Sequence, residues 1–254
     1  MNNKSNLKLL PALTAGLGLL AMALRATLFL LGRDEKDLLI TGHPLSILTW
    51  IATAMAAGLI LVSVAKLDGS KQYKHNFDAS VCAGIGAFAM AGGIAATVVT
   101  GWSSGSILGL VCSLWGVLAI PALVFLALQR MQGTRPFFLL HGAVCLYLTL
   151  FSVSQYQRWS SRPQIQDWFF TMGASILLTL FAYCQMAFDA DMGNRRMQLS
   201  TGFLAAFFCI SAVSGLENVP LYMGGAIWAL TNLCRLTPTK RRRPNPITEA
   251  PQEN

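Results

Sequence analysis

An all-α fold, a polytopic membrane bundle of about eight transmembrane helices with both termini cytoplasmic, is what this chain predicts, and three observations predict it. Mean hydropathy is +0.52, with 54% hydrophobic and only 12% charged residues, whereas a soluble globular protein carries about a quarter of its residues charged. Eight apolar stretches divide the 254 residues. Of the 18 Lys and Arg other than Arg25, 14 fall on one side of the implied membrane and 4 on the other, with Arg235 at the mouth of the last stretch.

A hydrocarbon layer of about 30 Å takes roughly 17 to 25 apolar residues to cross. Residues 9–31, 44–65, 79–100, 106–128, 136–156 and 168–188 meet that length comfortably, and 199–215 and 219–236, at 17 and 18 residues, only just reach it. The short pair reads either as two crossings or as a re-entrant hairpin, and both return the chain to the side it left. No connection between spans exceeds 13 residues. Residues 1–236 therefore form one transmembrane helical domain with no room for a soluble one, followed by a basic, Pro-rich tail at 237–254.

Cationic loops stay in the cytoplasm, and the rule is most reliable for short loops. Lys4 and Lys8, Lys66, Lys71 and Lys74, Arg130 and Arg135, Arg195 and Arg196, Arg235 and the tail share one side. Arg33, Lys36, Arg158 and Arg162 are on the other. Trp102, Trp159 and Trp168 then fall at the outer boundary, where amphipathic rings favour the headgroup zone. Lys4, Lys8 and Ala21-Met22-Ala23 imitate a cleavable signal peptide, but the apolar run continues through Leu28 to Leu31, which suits a retained span.

Helices in lipid associate through close backbone approach. Ala79, Ala83, Ala87, Ala91 and Ala95 recur every fourth residue in the third span, which predicts a central, tightly packed helix or, as the alternative, a docking face for a partner membrane subunit or a second copy. Cys82, Cys112, Cys145, Cys184, Cys209 and Cys234 fall one to each of the last six spans with no CxxC pair. That pattern reads as small buried hydrophobes, with no metal and no cofactor expected.

Ionisable residues within the bilayer are default functional candidates. Arg25 lies about 9 Å below the outer end of its span at 1.5 Å per residue, so it either snorkels outward or faces the bundle to meet Glu217, Asp167 or an anionic ligand. The fifth span turns polar at its outer end through Tyr147, Ser152, Ser154, Gln155 and Tyr156, with Ser152, Gln155 and Trp159 on one face. Arg25, Ser152, Gln155 and Glu217 are accordingly the candidate ligand-binding set, for a small anionic or zwitterionic solute. His141 and His43 enter from opposite ends, which excludes a bis-histidine haem; His141 reads as a hydrogen-bonded structural group or a proton relay. Asp189, Asp191, Arg195 and Arg196 lie close enough in sequence that they can pair among themselves.

Gly101-Trp102-Ser103-Ser104-Gly105 matches the GxSxG pattern, but that motif works by exposing a serine on a strand-to-helix turn. Here it links two membrane helices, where Gly and Ser serve the turn. Only a weak hydrolase or lipid-modifying reading survives, with His43, Asp37 and Asp167 on the same side. Lys240, Arg241, Arg242 and Arg243 directly follow the last span and suit anionic lipid headgroups at about 1 kcal/mol per cation. The positive-inside pattern accounts for the net charge of +8 without nucleic acid. The reading is thus a membrane protein, leaning away from an enzyme: a small-molecule transporter or its membrane subunit in a bacterial-type plasma membrane, or else a structural scaffold subunit.

Overall fold

The computed structural model describes residues 3–33, 39–40, 43–65, 73–102, 106–160 and 165–234. Nine α-helices are described: α1 Asn3–Leu31, α2 Pro44–Ala65, α3 Tyr73–Asn76, α4 Val81–Trp102, α5 Ile107–Gln132, α6 Phe138–Trp159, α7 Ile165–Asp189, α8 Arg195–Ala212 and α9 Val219–Cys234. A 3-10 turn, Val213–Gly215, extends α8. Seven of these are long and apolar enough to cross a membrane, and α9 has 16 residues. The protein is an all-α, polytopic membrane bundle.

Local chemistry sets the ends. Gly133 stops α5 at φ 72, and its N–H returns to the Gln129 carbonyl, a left-handed cap that suits a residue without Cβ. The Asn194 side chain accepts from the N–H groups of Arg196 and Met197, so α8 begins at Arg195, four residues before the apolar run that marks it in sequence. The third span likewise begins at Val81, leaving Ala79 outside the helix. The short α3 is absent from the sequence reading because hydropathy does not register a single turn.

Helices α4, α5, α6, α7, α8 and α9 pack in succession, and α9 returns to α4, closing a circuit. Outside it, α1 packs on α8, and α2 on α1 and α8. The sequence points to α4 as the central helix, but α8 is the more buried, with 72% of its apolar window covered against 50% for α4. Gly202, Ala205 and Ala206 let neighbours close around α8, while Phe203 and Phe207 fill the space between them. On α4 the closest approaches belong to glycines. A Cβ at Gly93 would lie 2.5 Å from the Pro220 carbonyl oxygen, and one at Gly224 2.5 Å from that of Ala89. Ala83, Ala87 and Ala91 are buried, Ala95 is half-buried and Ala79 is exposed.

These contacts also fix depth. The start of α9 lies beside Gly93, and α4 continues nine residues further to Trp102, about 13 Å at 1.5 Å per residue. The α8–α9 pair is therefore a hairpin whose turn is recessed below the end of α4. That recess positions the site.

Candidate functional site: a recessed cavity opposite a closed basic end

Where α9 stops short, the middle of the bundle is open. A cavity of about 680 Å³ lies between the last turns of α4, the first turns of α5 and the last turns of α6. Thr97, Ser113, Tyr147, Gln155 and Arg158 line its walls, and Glu217 and Asn218 of the recessed turn contribute from α9's side. This is the volume of a small-molecule site, commonly about 300–1,000 Å³.

Each polar side chain is placed by its helix. Tyr147 is almost fully buried and shares a 2.5 Å hydrogen bond with Thr97 Oγ1, tying α6 to α4. Gly116 makes room for that ring, since a Cβ there would sit 3.0 Å from it. Gln155 Oε1 accepts from Trp159 Nε1 at 3.1 Å, one turn along the same helix. Glu217 Oε1 is 3.9 Å from Arg158 Nη2, and its Oε2 is buried with no hydrogen-bond donor. Two flanking residues, Leu216 at φ 58 and Asn218 at φ 50, hold the left-handed conformation that side chains rarely adopt.

The opposite, basic end is closed by side chains bonded to one another across many helices, although Gln129 Oε1, Arg130 Nε, Gln185 Nε2, Asp189 Oδ1 and both amide atoms of Gln198 are buried there without a partner. Trp228 of α9 plugs the middle, stacked on His141 at 6.3 Å and edge-on to Phe181 at 5.0 Å. His141 Nδ1 lies 2.5 Å from Asp189 Oδ2, joining α6 to α7. From α5, Arg130 donates to the Tyr73 hydroxyl at 3.1 Å and to Asn232 Oδ1 at 3.2 Å, and its guanidinium lies over the Phe77 ring. Arg195 donates to Asn76 Oδ1, Tyr73 N–H to Asp191 Oδ1, and Arg135 to the Asp189 carbonyl and to Asp191. Burial pushes the Tyr73 hydroxyl above its ordinary pKa, and the neighbouring Arg130 charge offsets part of that. The partners found for Asp189 and Asp191 lie outside 189–196: Asp189 meets His141 and Asp191 meets Arg135, because the packed helix ends bring those partners closer.

The sequence-derived set divides between two places. Gln155 and Glu217 line the cavity. Ser152 does not; its hydroxyl donates to the Leu148 carbonyl within α6. Arg25 does not line it either, which corrects the expectation of a single pocket shared by Arg25 and the fifth span. Its guanidinium is 1% exposed, donates to the Ser211 carbonyl at the end of α8, and lies over the Phe170 and Phe29 rings at 4.4 and 4.9 Å. The void beside it, about 10 Å³, has room for about one water. Arg25 therefore neither snorkels nor reaches Glu217, whose cationic neighbour is Arg158.

Arg158, Thr97, Ser113 and Asn218 are cavity residues that the sequence reading passed over. The available signal was the shortness of the last two spans, which predicts a depression above their connection. His43 accepts the Leu45 N–H through Nδ1 at the start of α2. Ser103, Asp37 and the cationic tail, including Lys240, Arg241, Arg242 and Arg243, lie outside the described residues, as does the Asp167 side chain.

Fold and site together define a multi-pass membrane protein with a solute-sized polar cavity open at one end and a polar seal at the other. No family model matches the chain, and no curated protein or solved structure is significantly similar to it.

Proposed function

We propose that this protein is a small-molecule transporter, or the membrane-embedded subunit of one, in a bacterial-type plasma membrane, with the sealed basic end toward the cytoplasm and the cavity toward the outside. One observation carries this reading: a cavity of about 680 Å³ reaches into the bundle from one end, with Glu217 and Arg158 among the residues that line it. Solute sites between helices with one closed end are what alternating access requires. The orientation follows from the excess of Lys and Arg in the loops of the basic end. In the same reading Lys240, Arg241, Arg242 and Arg243 rest on anionic lipid headgroups.

The test is uptake. Vesicles reconstituted with the protein and incubated with a pooled library of polar solutes should enrich at least one solute over protein-free vesicles. Ser154→Trp, which fills the cavity from α6, should abolish the enrichment. Absence of any enriched solute, or enrichment unaffected by Ser154→Trp, contradicts the proposal.

The scaffold alternative rested on the alanine ladder as a docking face. Ala83, Ala87 and Ala91 are buried within this chain, which favours the solute-binding reading over it.

A further inference from the structure

We infer that the cavity recognises a zwitterion whose ammonium and carboxylate sit on one carbon, as in an α-amino acid, with the ammonium on Glu217 and the carboxylate on Arg158. The inference rests on the solute-binding reading and names its substrate class.

Glu217 is the starting point. Its side chain lines the cavity and is 28% exposed, with Oε1 3.9 Å from the nearest guanidinium nitrogen, beyond hydrogen-bond length, while Oε2 is turned into the protein without a donor. A buried carboxylate oxygen calls for a donor. The backbone holds this carboxylate in place at a cost, because Leu216 and Asn218 on either side both lie in the left-handed region. Leu216 is 84% exposed, so its conformation gains no burial in return. Strain of this kind concentrates where a side chain must be aimed.

Arg158 supplies the complementary charge. Its side chain is 61% exposed at the cavity rim, so its guanidinium keeps donors in reach of an incoming carboxylate. The two charges are too far apart to hydrogen-bond and close enough that one small ligand bearing both charges can answer both. Gln155 adds a donor of the matching sign: Trp159 occupies its Oε1, so the amide NH₂ is the part it can offer a ligand.

Competing ligands fit less well. A bare metal cation wants several oxygen ligands at short distance, and among the described residues the cavity offers one carboxylate in about 680 Å³. A simple anion leaves Glu217 unanswered and repelled. A simple amine leaves Arg158 and the Gln155 amide without an acceptor.

The experiment is a binding titration on the purified full-length protein in detergent, read by thermal stabilisation. The ligands are a set of α-amino acids, the matched amines lacking the carboxylate, the matched acids lacking the ammonium, and phosphoethanolamine as a lipid-headgroup zwitterion. At least one α-amino acid should stabilise the protein, and both truncated forms should bind at least about tenfold more weakly. Glu217→Gln and Arg158→Gln should each weaken binding by about tenfold or more, while Cys82→Ser on the exposed face of α4 leaves it unchanged. Should Glu217→Gln not fold, Glu217→Asp and Arg158→Gln carry the same comparison. Binding of amine, acid or phosphoethanolamine as tight as the amino acid, or amino-acid binding indifferent to both variants, overturns the inference. If no ligand of the set stabilises the protein while vesicle uptake enriches some other solute class, the zwitterion assignment falls and the transporter reading stands; if uptake also fails, both fall.

Discussion

The two ends of the bundle differ in how closely their polar side chains are packed: one is closed over, the other borders open volume. At the basic end, Arg130, His141, Asp189, Arg195 and their partners lie within a few per cent of full burial and join α3, α5, α6, α7, α8 and α9 through side chains. At the other end Tyr147 and Gln155 are also bonded, yet α9 never reaches them, and Glu217 and Arg158 face open volume. The difference arises from length. Sixteen residues of α9 suffice to seal one end and leave the other about 13 Å short. One short helix thus lets side chains close over one end and leaves open volume at the other.

Removing one member of the seal should have the largest effect. Asp189→Ala leaves His141 facing an empty position and should destabilise the fold by about 3 kcal/mol, the usual loss when a buried pair is broken. Glu217→Ala removes a carboxylate whose Oε2 has no donor, and should leave stability unchanged or raise it. Thermal unfolding in one detergent measures both. Equal losses would erase the distinction between the ends.

The recess rests on how closely α9 approaches α4. Gly93→Leu drives a side chain into the Pro220 and Leu221 backbone and should cost about 1–3 kcal/mol, whereas Gly92→Leu next to it, with nothing within 4 Å, should be close to neutral. Unfolding midpoints that do not separate these neighbours would remove the contact on which the recessed turn depends.

Much of this arrangement was legible in the sequence. Span lengths placed the helices, the basic loops marked one end, and the polar outer half of the fifth span with Glu217 gave four of the cavity residues, Tyr147, Ser154, Gln155 and Glu217. What stayed hidden was pairing at a distance. Tyr73 and Arg130 are 57 residues apart, Arg130 and Asn232 are 102, and Asn76 and Arg195 are 119. Hydropathy carries no record of which helix ends meet. Arg25 faces the bundle, one of its two expected destinations, but its hydrogen bond to the Ser211 carbonyl at the end of α8, 186 residues away, carries no signal in the sequence. The alanine ladder drew attention to α4 by its regularity, but the tightest approaches use glycines off that register, Gly86 and Gly93 against α9 and Gly84 against α5.

Smaller effects sharpen the contrast further. Leu216→Gly relieves a left-handed leucine and should raise stability by about 1 kcal/mol, with the cavity retained; a loss would mean that the exposed side chain does more than turn the chain. The weakest signal belongs to Tyr73. Burial makes its hydroxyl harder to ionise in the folded state, so the unfolded chain loses its proton first as pH rises through the ordinary tyrosine value near 10. Stability contributed at lower pH is therefore lost above that value. Tyr73→Phe should flatten this alkaline step, and an unchanged pH profile would argue that Tyr73 is not sealed in.

Directional thiol labelling tests the asymmetry itself most directly. In a background lacking the six native cysteines, Ser154→Cys in the cavity wall and Ala127→Cys beneath the seal are exposed to a charged thiol reagent that does not cross membranes, added from either side of oriented vesicles. Labelling of Ser154→Cys from the outer side alone, with Ala127→Cys unreactive from both, is the predicted result. Reaction of Ser154→Cys only from the cytoplasmic side, or ready reaction of Ala127→Cys, would contradict it.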